Sequence, residues 1–280
     1  MALAIATNNA ALNAAASASS VNRDMETSMA RLSSGKRINS ASDDAAGVAI
    51  SSRLSAEIRG TDQAIRNSLD GQALIDTAEG AHKEIENILQ RMREVTIQAA
   101  NDTNNDQDRA NLQAEIEAMT TEIDRIAGTT TWAGADLMED ATTTFSFQVG
   151  AATGTQNQIA VTIKTMNATG LAVGTGSAST VDVTSGATAN TGTGLIDAAI
   201  KSVNIQRSEL GAVSNRLNHT VNNLTNISSN LSAAKGGIED ADFALETTNL
   251  AKNQILQQAS TAMLAQANAS KQNVLSLLQG

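Results

Sequence analysis

Residues 78–99 read AEGAHKEIENILQRMREVTIQA, and the spacing of their apolar side chains decides the fold. These side chains recur at steps of three and four residues, at Ala78, Ala81, Ile85, Ile88, Met92, Val95 and Ala99. Such positions share one face of an α-helix, because the helix has about 3.6 residues per turn. The stretch therefore predicts a long helix that buries one apolar face.

Four further segments carry the same spacing. Their apolar or small positions are Ala11, Ala14, Ala18, Val21, Met25, Ser28 and Leu32; Leu112, Ile116, Met119, Ile123 and Ile126; Val203, Gln206, Leu210, Val213, Leu217, Thr220, Leu224, Ile227 and Leu231; and Leu256, Ala259, Met263, Ala267, Ser270, Val274 and Leu277. The polar run 101–106 predicts a turn, so we expect 44–100 and 107–127 to form an antiparallel helical hairpin. Gly236 and Gly237 predict a break before the last helix.

The middle of the chain, 141–194, follows another pattern. Apolar side chains alternate with polar ones in two short runs, at Phe145, Phe147 and Val149, and at Ile159, Val161 and Ile163. Alternation predicts two half-buried strands, which 150–158 would join into a β-hairpin. Residues 165–194 show no comparable pattern and predict an exposed loop. The expected fold class is mainly α, with long antiparallel helical hairpins, coiled coil and a small β-hairpin region in the middle.

The composition argues against an enzyme. The 280 residues include no proline, cysteine or tyrosine, and their aromatic side chains are one tryptophan and three phenylalanines. Large aromatic rings usually dominate a compact core. The formal net charge of -10 opposes contact with nucleic acid or anionic lipid. No run of about eighteen apolar residues occurs, so the sequence predicts no membrane insertion.

The two ends of the chain carry almost no charge. Residues 1–22 have no charged side chain, and 253–280 have only Lys271. An uncharged helix face can be buried without stranding an ion, whereas a free surface helix normally has a charged face. We therefore expect both ends to be disordered in the monomer and to fold where they meet each other and neighbouring copies. Residues 1–22 also lack the basic start of a secretory signal peptide, so export requires another route.

These patterns predict three regions. Residues 1–43 and 236–280 form an inner terminal coiled-coil domain, 44–140 and 195–235 form a helical-bundle domain, and 141–194 form a short Thr/Gly-rich variable surface segment. Small uncharged side chains suit the innermost layer, where copies of the chain meet. The Thr-rich segment is expected to lie outermost.

Several motifs resemble those of bacterial flagellins over nearly the whole chain. They are RLSSGKRINSASDDAAG at 31–47, LQRMREVTIQAAND at 89–102, QAEIEAMTTEIDRIAG at 113–128, ELGAVSNRLN at 209–218, NNLTNISSNLSAA at 222–234, IEDADFA at 238–244, QILQQA at 254–259 and LAQAN at 264–268. The resemblance implies a subunit that self-assembles into the helical flagellar filament for swimming motility. It also implies type III export to the extracellular flagellum. The implied partners are other copies of the chain, an export chaperone, the filament cap and hook-junction proteins.

The resemblance implies two functional surfaces. The first aligns with the surface that a Toll-like innate receptor recognises in family members, at Gln90, Arg91, Met92, Arg93, Glu94, Val95 and Glu115. The second is a terminal segment for assembly and chaperone binding, at Leu256, Met263, Leu264, Val274, Leu275, Leu277 and Leu278. We expect packing between subunits to be the primary role of the first surface, with receptor binding as a second use. Arg91 and Glu94 also have the spacing of a simple intrahelical pair.

Other polar residues predict no catalytic, cofactor or metal site. Candidates for O-linked sugars are Thr142, Thr143, Thr153, Thr155, Thr169, Ser177, Ser179 and Thr188. His82 and His219 are expected to be exposed helix residues. Residues 102–106 imitate the start of a calcium-binding loop, but the later glycine and bidentate glutamate are absent, so we predict a polar turn.

Two other functions fit parts of the sequence. A hook-filament junction protein shares the helical ends, and a secreted adhesin-like surface protein would use the Thr-rich segment 141–194. The motifs IEDADFA, QILQQA and LAQAN favour flagellin over the junction protein. Binding activity confined to 141–194 would favour the adhesin.

Overall fold

A computed structural model describes the backbone of residues 7–139, 142–174 and 180–279, and the side chains of these segments as far as residue 270. The helices are α1 (Asn9–Ser34), α2 (Ala45–Ala99), α3 (Asp106–Thr129), α4 (Gly186–Glu239) and α5 (Phe243–Gln279). The strands are β1 (Thr131–Trp132), β2 (Ala135–Asp136), β3 (Thr143–Gln148) and β4 (Gln158–Ile163). They pair as two small antiparallel sheets, so the predicted mainly α fold is confirmed.

The chain divides into two compact units. Unit 1 contains residues 1–56 and 230–280, and unit 2 contains residues 57–229. Unit 1 includes α1 and α5 and therefore brings together segments from the two ends of the sequence. Unit 2 contains most of α2 and α4, all of α3 and both sheets.

Unit 2 has a continuous apolar core. Its largest fully buried side chains include Leu74, Ile85, Leu89, Met92, Ile116, Ile123, Ile196 and Leu210. Five of them occupy predicted apolar positions of α2, α3 and α4, namely Ile85, Met92, Ile116, Ile123 and Leu210, whereas Leu74, Leu89 and Ile196 lie outside the predicted positions. All eight belong to one cluster. The predicted hairpin of α2 and α3 is therefore confirmed, with the turn between the two helices close to its predicted place.

The buried face of α2 includes two polar residues that the apolar pattern misses. Seven side chains are 0% exposed and follow one another at steps of four and three residues: Ala78, His82, Ile85, Leu89, Met92, Thr96 and Ala99. The expected exposure is therefore wrong for His82, whereas His219 is exposed. Position 82 lies inside because the helical period places it there, and the polarity of histidine does not change that placement.

Asn105 begins α3 with a reciprocal cap. Its side chain accepts a hydrogen bond from the Asp108 N–H at 2.8 Å, and the Asp108 carboxylate accepts one from the Asn105 N–H at 3.2 Å. We predict that Asn105→Ala lowers the free energy of unfolding of unit 2 by about 1 kcal/mol, the usual effect of losing an N-cap. Urea unfolding followed by circular dichroism measures this change. Asn111→Ala, on the exposed side of α3, is the control, and an equal loss in both variants would contradict the prediction.

β3 and β4 form the predicted hairpin. Phe145 lies opposite Val161, and Phe147 lies opposite Ile159. The ring of Phe147 also packs over Gly71 of α2, where an added Cβ would lie 3.3 Å from the ring. The missing side chain at position 71 therefore allows the hairpin to approach the helix closely.

The segment after the hairpin is not the exposed loop that the sequence predicts. Its apolar side chains join the core of unit 2, at Met166, Ala168, Leu171, Val173, Val181 and Val183. α4 also begins at Gly186, before the predicted boundary at 195. A reciprocal cap explains this early start: Ser185 Oγ accepts from the Thr188 N–H at 3.2 Å, and Thr188 Oγ1 accepts from the Ser185 N–H at 3.1 Å.

α4 continues through Gly236 and Gly237 to Glu239, so the predicted break there is wrong. α5 begins after Asp242, whose carboxylate accepts hydrogen bonds from the N–H groups of Ala244 and Leu245 at 2.9 and 3.2 Å. A side chain that satisfies the free N–H groups starts a new helix. Glycine alone weakens a helix by roughly 1 kcal/mol per residue and does not have to end it.

Candidate functional site

α1 and α5 lie side by side in unit 1 and run antiparallel. Gln257 Nε2 donates to Asn22 Oδ1 at 2.8 Å, and Asn8 Nδ2 donates to the Ala267 carbonyl at 3.1 Å. The predicted face of α1 is confirmed, because most other α1 residues are exposed while the positions of this face are buried or half-buried. These positions are Ala11, Ala14, Ala18, Val21, Met25, Ser28 and Leu32.

Most of the positions that α5 turns towards α1 differ from those that its apolar pattern predicts, although Ala267 belongs to both sets. Its less exposed positions include Glu246, Asn253, Gln257, Ser260, Leu264 and Ala267. Leu256 and Met263 of the predicted face are instead 40% and 65% exposed. Polar side chains occupy inner positions because they find partners there, as Gln257 does on α1. Much of the apolar face of α5 is therefore left without cover in the single chain.

Unit 1 buries little apolar surface by itself. Ile38 is the one apolar side chain that is buried among its described residues. Six large apolar side chains are 54% to 66% exposed, namely Leu12, Met29, Phe243, Leu245, Ile255 and Met263. A groove of about 400 Å³ lies between α1 and α5 and is lined by Ala10, Asn13, Ala14, Ser17, Leu256, Ala259, Ser260 and Met263. Exposed apolar surface of this kind is typical of an interaction site.

One buried carboxylate joins α1 to α5. Glu246 is 5% exposed, and its Oε1 lies 3.0 Å from Nη1 of Arg31. Arg31 Nε also donates to the carbonyl of Arg37 at 3.0 Å, so one guanidinium holds α5 and the segment after α1. A buried charge needs its partner close by, which favours a single register of the two helices.

The segments that follow α1 and α4 pair through their backbones. The Arg37 N–H donates to the Glu239 carbonyl at 2.6 Å, and the Ala241 N–H donates to the Gly35 carbonyl at 3.0 Å. Gly35 has a φ of 69°, a left-handed conformation that is common where a helix ends. α1 and α5 are therefore tied together at this end as well as along their lengths.

Asp43 orders the link between α1 and α2. The N–H groups of Ser40 and Asn39 donate to Asp43 Oδ2 at 2.9 and 3.0 Å. These hydrogen bonds, with that from Ser40 the strongest influence, lower the pKa of the Asp43 carboxyl below its ordinary value. The carboxylate therefore supports the link above its ordinary pKa of about 3.9 and loses this role as the pH falls through the lowered value.

The residues that resemble a receptor-recognised surface divide into two groups. Met92 and Val95 are fully buried in the core of unit 2. The other five are exposed or half-buried, namely Gln90, Arg91, Arg93, Glu94 and Glu115. In the folded chain, only this second group presents its side chains to a partner.

Arg91 joins α2 to α3 at this surface. Its Nη2 lies 2.8 Å from Glu115 Oε1, and its Nη1 lies 3.0 Å from Glu94 Oε2. These hydrogen bonds, that to Glu115 above all, raise the pKa of the Arg91 guanidinium. Arg93 joins the same end of α2 to Asp197 of α4 at 2.6 Å. The surface therefore consists of solvent-facing ion pairs above a buried apolar layer.

The candidate sugar acceptors occupy different environments. Thr142, Thr153, Thr155 and Thr169 are exposed, Thr143 is half-buried in β3, and Thr188 is half-buried in the cap of α4. Ser177 and Ser179 lie outside the described residues. In the terminal segment, Leu264 is half-buried, while Val274, Leu275, Leu277 and Leu278 lie on α5 beyond the described side chains.

Neither a cluster of metal ligands nor a membrane-spanning helix occurs in the part of the chain that the structure describes. No group of three potential metal ligands occurs among these residues. No helix among them is both long and apolar enough to cross a membrane.

Comparison with known proteins identifies the family. The family model described as the bacterial flagellin N-terminal helical region matches residues 5–143, and that of the bacterial flagellin C-terminal helical region matches residues 193–278. The first match contains α1 to α3, and the second contains most of α4 and nearly all of α5. The matches therefore include both helices of the pair in unit 1.

Similar proteins match along most of their length. The chain is 46% identical over 254 residues to a flagellin of Halalkalibacterium halodurans, covering 91% of this chain and 92% of the relative. It is 44% identical over 301 residues to a flagellin of Bacillus subtilis, covering 97% of this chain and 98% of the relative. A crystal structure of Bacillus cereus flagellin has 34% identity and a TM-score of 0.48, and the match covers 61% of this chain and 94% of that one. Flagellins are structural subunits of the flagellar filament rather than enzymes, and by its two family matches and its relatives this chain belongs to the bacterial flagellin family.

Proposed function

We propose that this chain polymerises into the flagellar filament through unit 1, with α1 and α5 of many copies packed against one another. The observation that carries the proposal is the exposed apolar surface of the pair, which includes Leu256 and Met263 on α5 and Leu12 and Met29 on α1. Full burial of each such side chain contributes roughly 1.5–3 kcal/mol. A second copy of unit 1 fits this surface because it is apolar and the chain ends carry almost no charge.

We infer that the two ends become ordered as the chain assembles. Fixing the backbone of each residue costs roughly 1–2 kcal/mol of conformational entropy. In a single chain, Ile38 is the one apolar side chain that the described part of unit 1 buries in return. Neighbouring copies supply the burial that is missing, so α1 and α5 are disordered in the monomer and helical in the filament.

Charged substitutions on the exposed apolar surface test the assembly mechanism. We expect Leu256→Glu combined with Met263→Glu to raise the protein concentration needed for polymerisation at least about tenfold. A buried carboxylate without a partner costs several kcal/mol, and about 1.4 kcal/mol already corresponds to a factor of ten. Sedimentation and electron microscopy of a concentration series measure the onset of filament formation.

The matched control adds the same charge elsewhere. Ala152 is exposed in the connection between β3 and β4, a part of the chain that we place on the outer surface of the filament. Ala152→Glu is therefore expected to polymerise at the concentration of the parent chain. Polymerisation of the Leu256 and Met263 variant at the parent concentration would overturn the proposed interface.

The same apolar segment has to be covered before export. We infer that a flagellar export chaperone binds the terminal segment around Leu264, Val274 and Leu278, which keeps the chain from polymerising inside the cell. The chain then passes through the type III apparatus and joins the extracellular filament beneath the cap, beyond the hook-junction proteins. Residues 253–280 carry a single charged side chain, Lys271, and this low charge supports a partner with an apolar binding surface.

A second use of the accessible charged surface is recognition by a host Toll-like receptor. The five residues that face solvent or are half-buried there are Gln90, Arg91, Arg93, Glu94 and Glu115. The ion pairs of Arg91 with Glu94 and Glu115 and of Arg93 with Asp197 restrict the motion of four of these side chains, which lowers the entropy cost of binding. Packing between subunits remains the primary role of this surface.

We also propose O-linked sugars on exposed hydroxyls of the middle segment. Thr142, Thr153, Thr155 and Thr169 are the accessible candidates among the described residues. The intact mass of protein taken from filaments decides the matter, because a value equal to the 28.9 kDa of the sequence excludes the modification.

A further inference from the structure

Arg207 of α4 forms ion pairs with α2 on both sides of a buried histidine, His82, in unit 2. Arg207 of α4 contacts Glu79 Oε1 through Nη2 at 2.7 Å and Glu86 Oε2 through Nη1. Glu79, His82 and Glu86 follow one another at steps of three and four residues and therefore share one face of α2. The guanidinium of Arg207 thus spans the turn of α2 that carries His82.

The imidazole of His82 has no hydrogen bond at this place. The side chain is 0% exposed, and neither ring nitrogen has a partner among the described residues. Gln206, next to Arg207, is equally buried: its Nε2 donates to the Thr162 carbonyl at 2.8 Å, and its Oε1 has no partner. A neutral ring fits such packing at moderate cost, whereas a protonated ring would be a buried ion with no acceptor within hydrogen-bond distance of either nitrogen.

We propose that His82 is an acid-sensitive switch in unit 2, in which protonation of the buried ring loosens the contact between α2 and α4. The inference goes beyond filament assembly, because it concerns the stability of the single folded chain. It stands on the burial of the ring, its two unpartnered nitrogens and the ion-pair bridge that closes over it.

The surrounding charges do not offer the protonated ring a free partner. They are Glu79 and Glu86 of α2, both paired with Arg207 of α4. Burial lowers the pKa of His82 from 6.5 to about 4, while Glu79 acts in the opposite direction and Arg207 adds a smaller lowering. Loosening of the contact is therefore the route by which the ring reaches water and gains a proton.

The direction of the pH effect follows from proton uptake. In the unfolded chain, the ring binds a proton near its ordinary pKa of 6.5, whereas in the folded chain it does so only near pH 4. Between these values the unfolded state binds more protons, so the stability from a neutral His82 is fully present above pH 6.5 and is lost as the pH falls towards 4. Within this window, each fall of one pH unit raises the equilibrium constant for unfolding about tenfold through His82 alone.

The two histidines of the chain provide a matched test on the monomer. Urea unfolding of the parent, His82→Leu and His219→Leu is measured by circular dichroism from pH 7.5 to 4.5. We expect His82→Leu to remove about a tenfold change per pH unit below pH 6.5, while His219→Leu, at an exposed position, keeps the pH dependence of the parent. Equal pH dependence in all three chains would overturn the proposal.

Nuclear magnetic resonance of the parent supplies a measurement that does not depend on a variant folding. We expect the imidazole of His82 to keep its neutral signal until the pH approaches 4 or the chain unfolds. The His219→Leu chain assigns the two signals. Titration of His82 near pH 6.5 in the folded chain would overturn the switch and would leave the filament proposal untouched.

Discussion

A chain that ends at Ala259 is expected to form no filaments, while its unit 2 stays folded. The truncation removes Ser260, Leu264 and Ala267 from the face of α5 that packs on α1, together with Met263 from the exposed apolar face. It also removes the hydrogen bond between Asn8 and Ala267. What remains of α5 pairs only with the C-terminal part of α1, through Glu246 and Gln257, so much of the surface proposed for assembly is lost.

Unit 2 is unaffected because its core ends well before the truncation. The core cluster of buried residues runs from Leu74 to Leu217 and includes no residue of α5. Electron microscopy at a concentration where the full chain polymerises provides the first measurement, and urea unfolding of the truncated monomer provides the second. Removal of residues 1–22 should give the same two results, since it deletes much of the other helix of the pair. Filaments from either truncated chain would show that the proposed mechanism is wrong.

The largest expected loss of monomer stability comes from Leu89→Ala. Leu89 is 0% exposed in the last third of α2, between the equally buried Ile85 and Met92. Removing its side chain leaves a cavity in a close-packed core and is expected to lower the free energy of unfolding of unit 2 by about 3 kcal/mol. This is a large share of the roughly 5–15 kcal/mol that stabilises a typical domain.

The same substitution at Leu69 is the control. Leu69 lies on the same helix but is 48% exposed, so Leu69→Ala is expected to cost less than about 1 kcal/mol. Urea unfolding of the two variants and the parent at neutral pH compares the three free energies. Similar losses at both positions would mean that the apolar cluster around α2 does not stabilise unit 2 as described.

Periodicity predicts most of this fold because long helices repeat the same signal many times. The steps of three and four residues in 78–99 and 112–126 give the hairpin of α2 and α3, and the alternation around Phe145 and Val161 gives β3 and β4. Each of these predictions rests on at least three apolar positions in a regular order. A single unusual residue does not change the outcome of such a pattern.

The errors occur where a polar group decides the structure. The early start of α4 depends on the cap between Ser185 and Thr188, and the start of α5 depends on the carboxylate of Asp242. His82 was expected to be exposed because of its chemistry, although its position in the helical repeat places it inside. The signal that identifies it is its distance of four residues from Ala78 and three from Ile85.

The inner face of α5 shows a second limit of prediction from the apolar pattern. An apolar pattern predicts which side of a helix avoids water, but it does not tell whether the cover comes from the same chain or from another. In the single chain, Gln257 and Glu246 face α1 while Leu256 and Met263 remain uncovered. The face predicted from the sequence is the one that we assign to contacts between copies.

The pairing of α1 with α5 joins groups that are 259 residues apart, as in the bond from Asn8 to Ala267. Contacts between such distant segments form late, since the intervening chain has to be present and its loop closed before they contribute. α1 therefore remains without its partner segment until α5 is present, in keeping with the disorder that we propose for both ends of the monomer. A fragment that contains residues 57–229 but lacks α5 can fold unit 2 but cannot complete the pair, so only a chain that extends through α5 can form the paired surface.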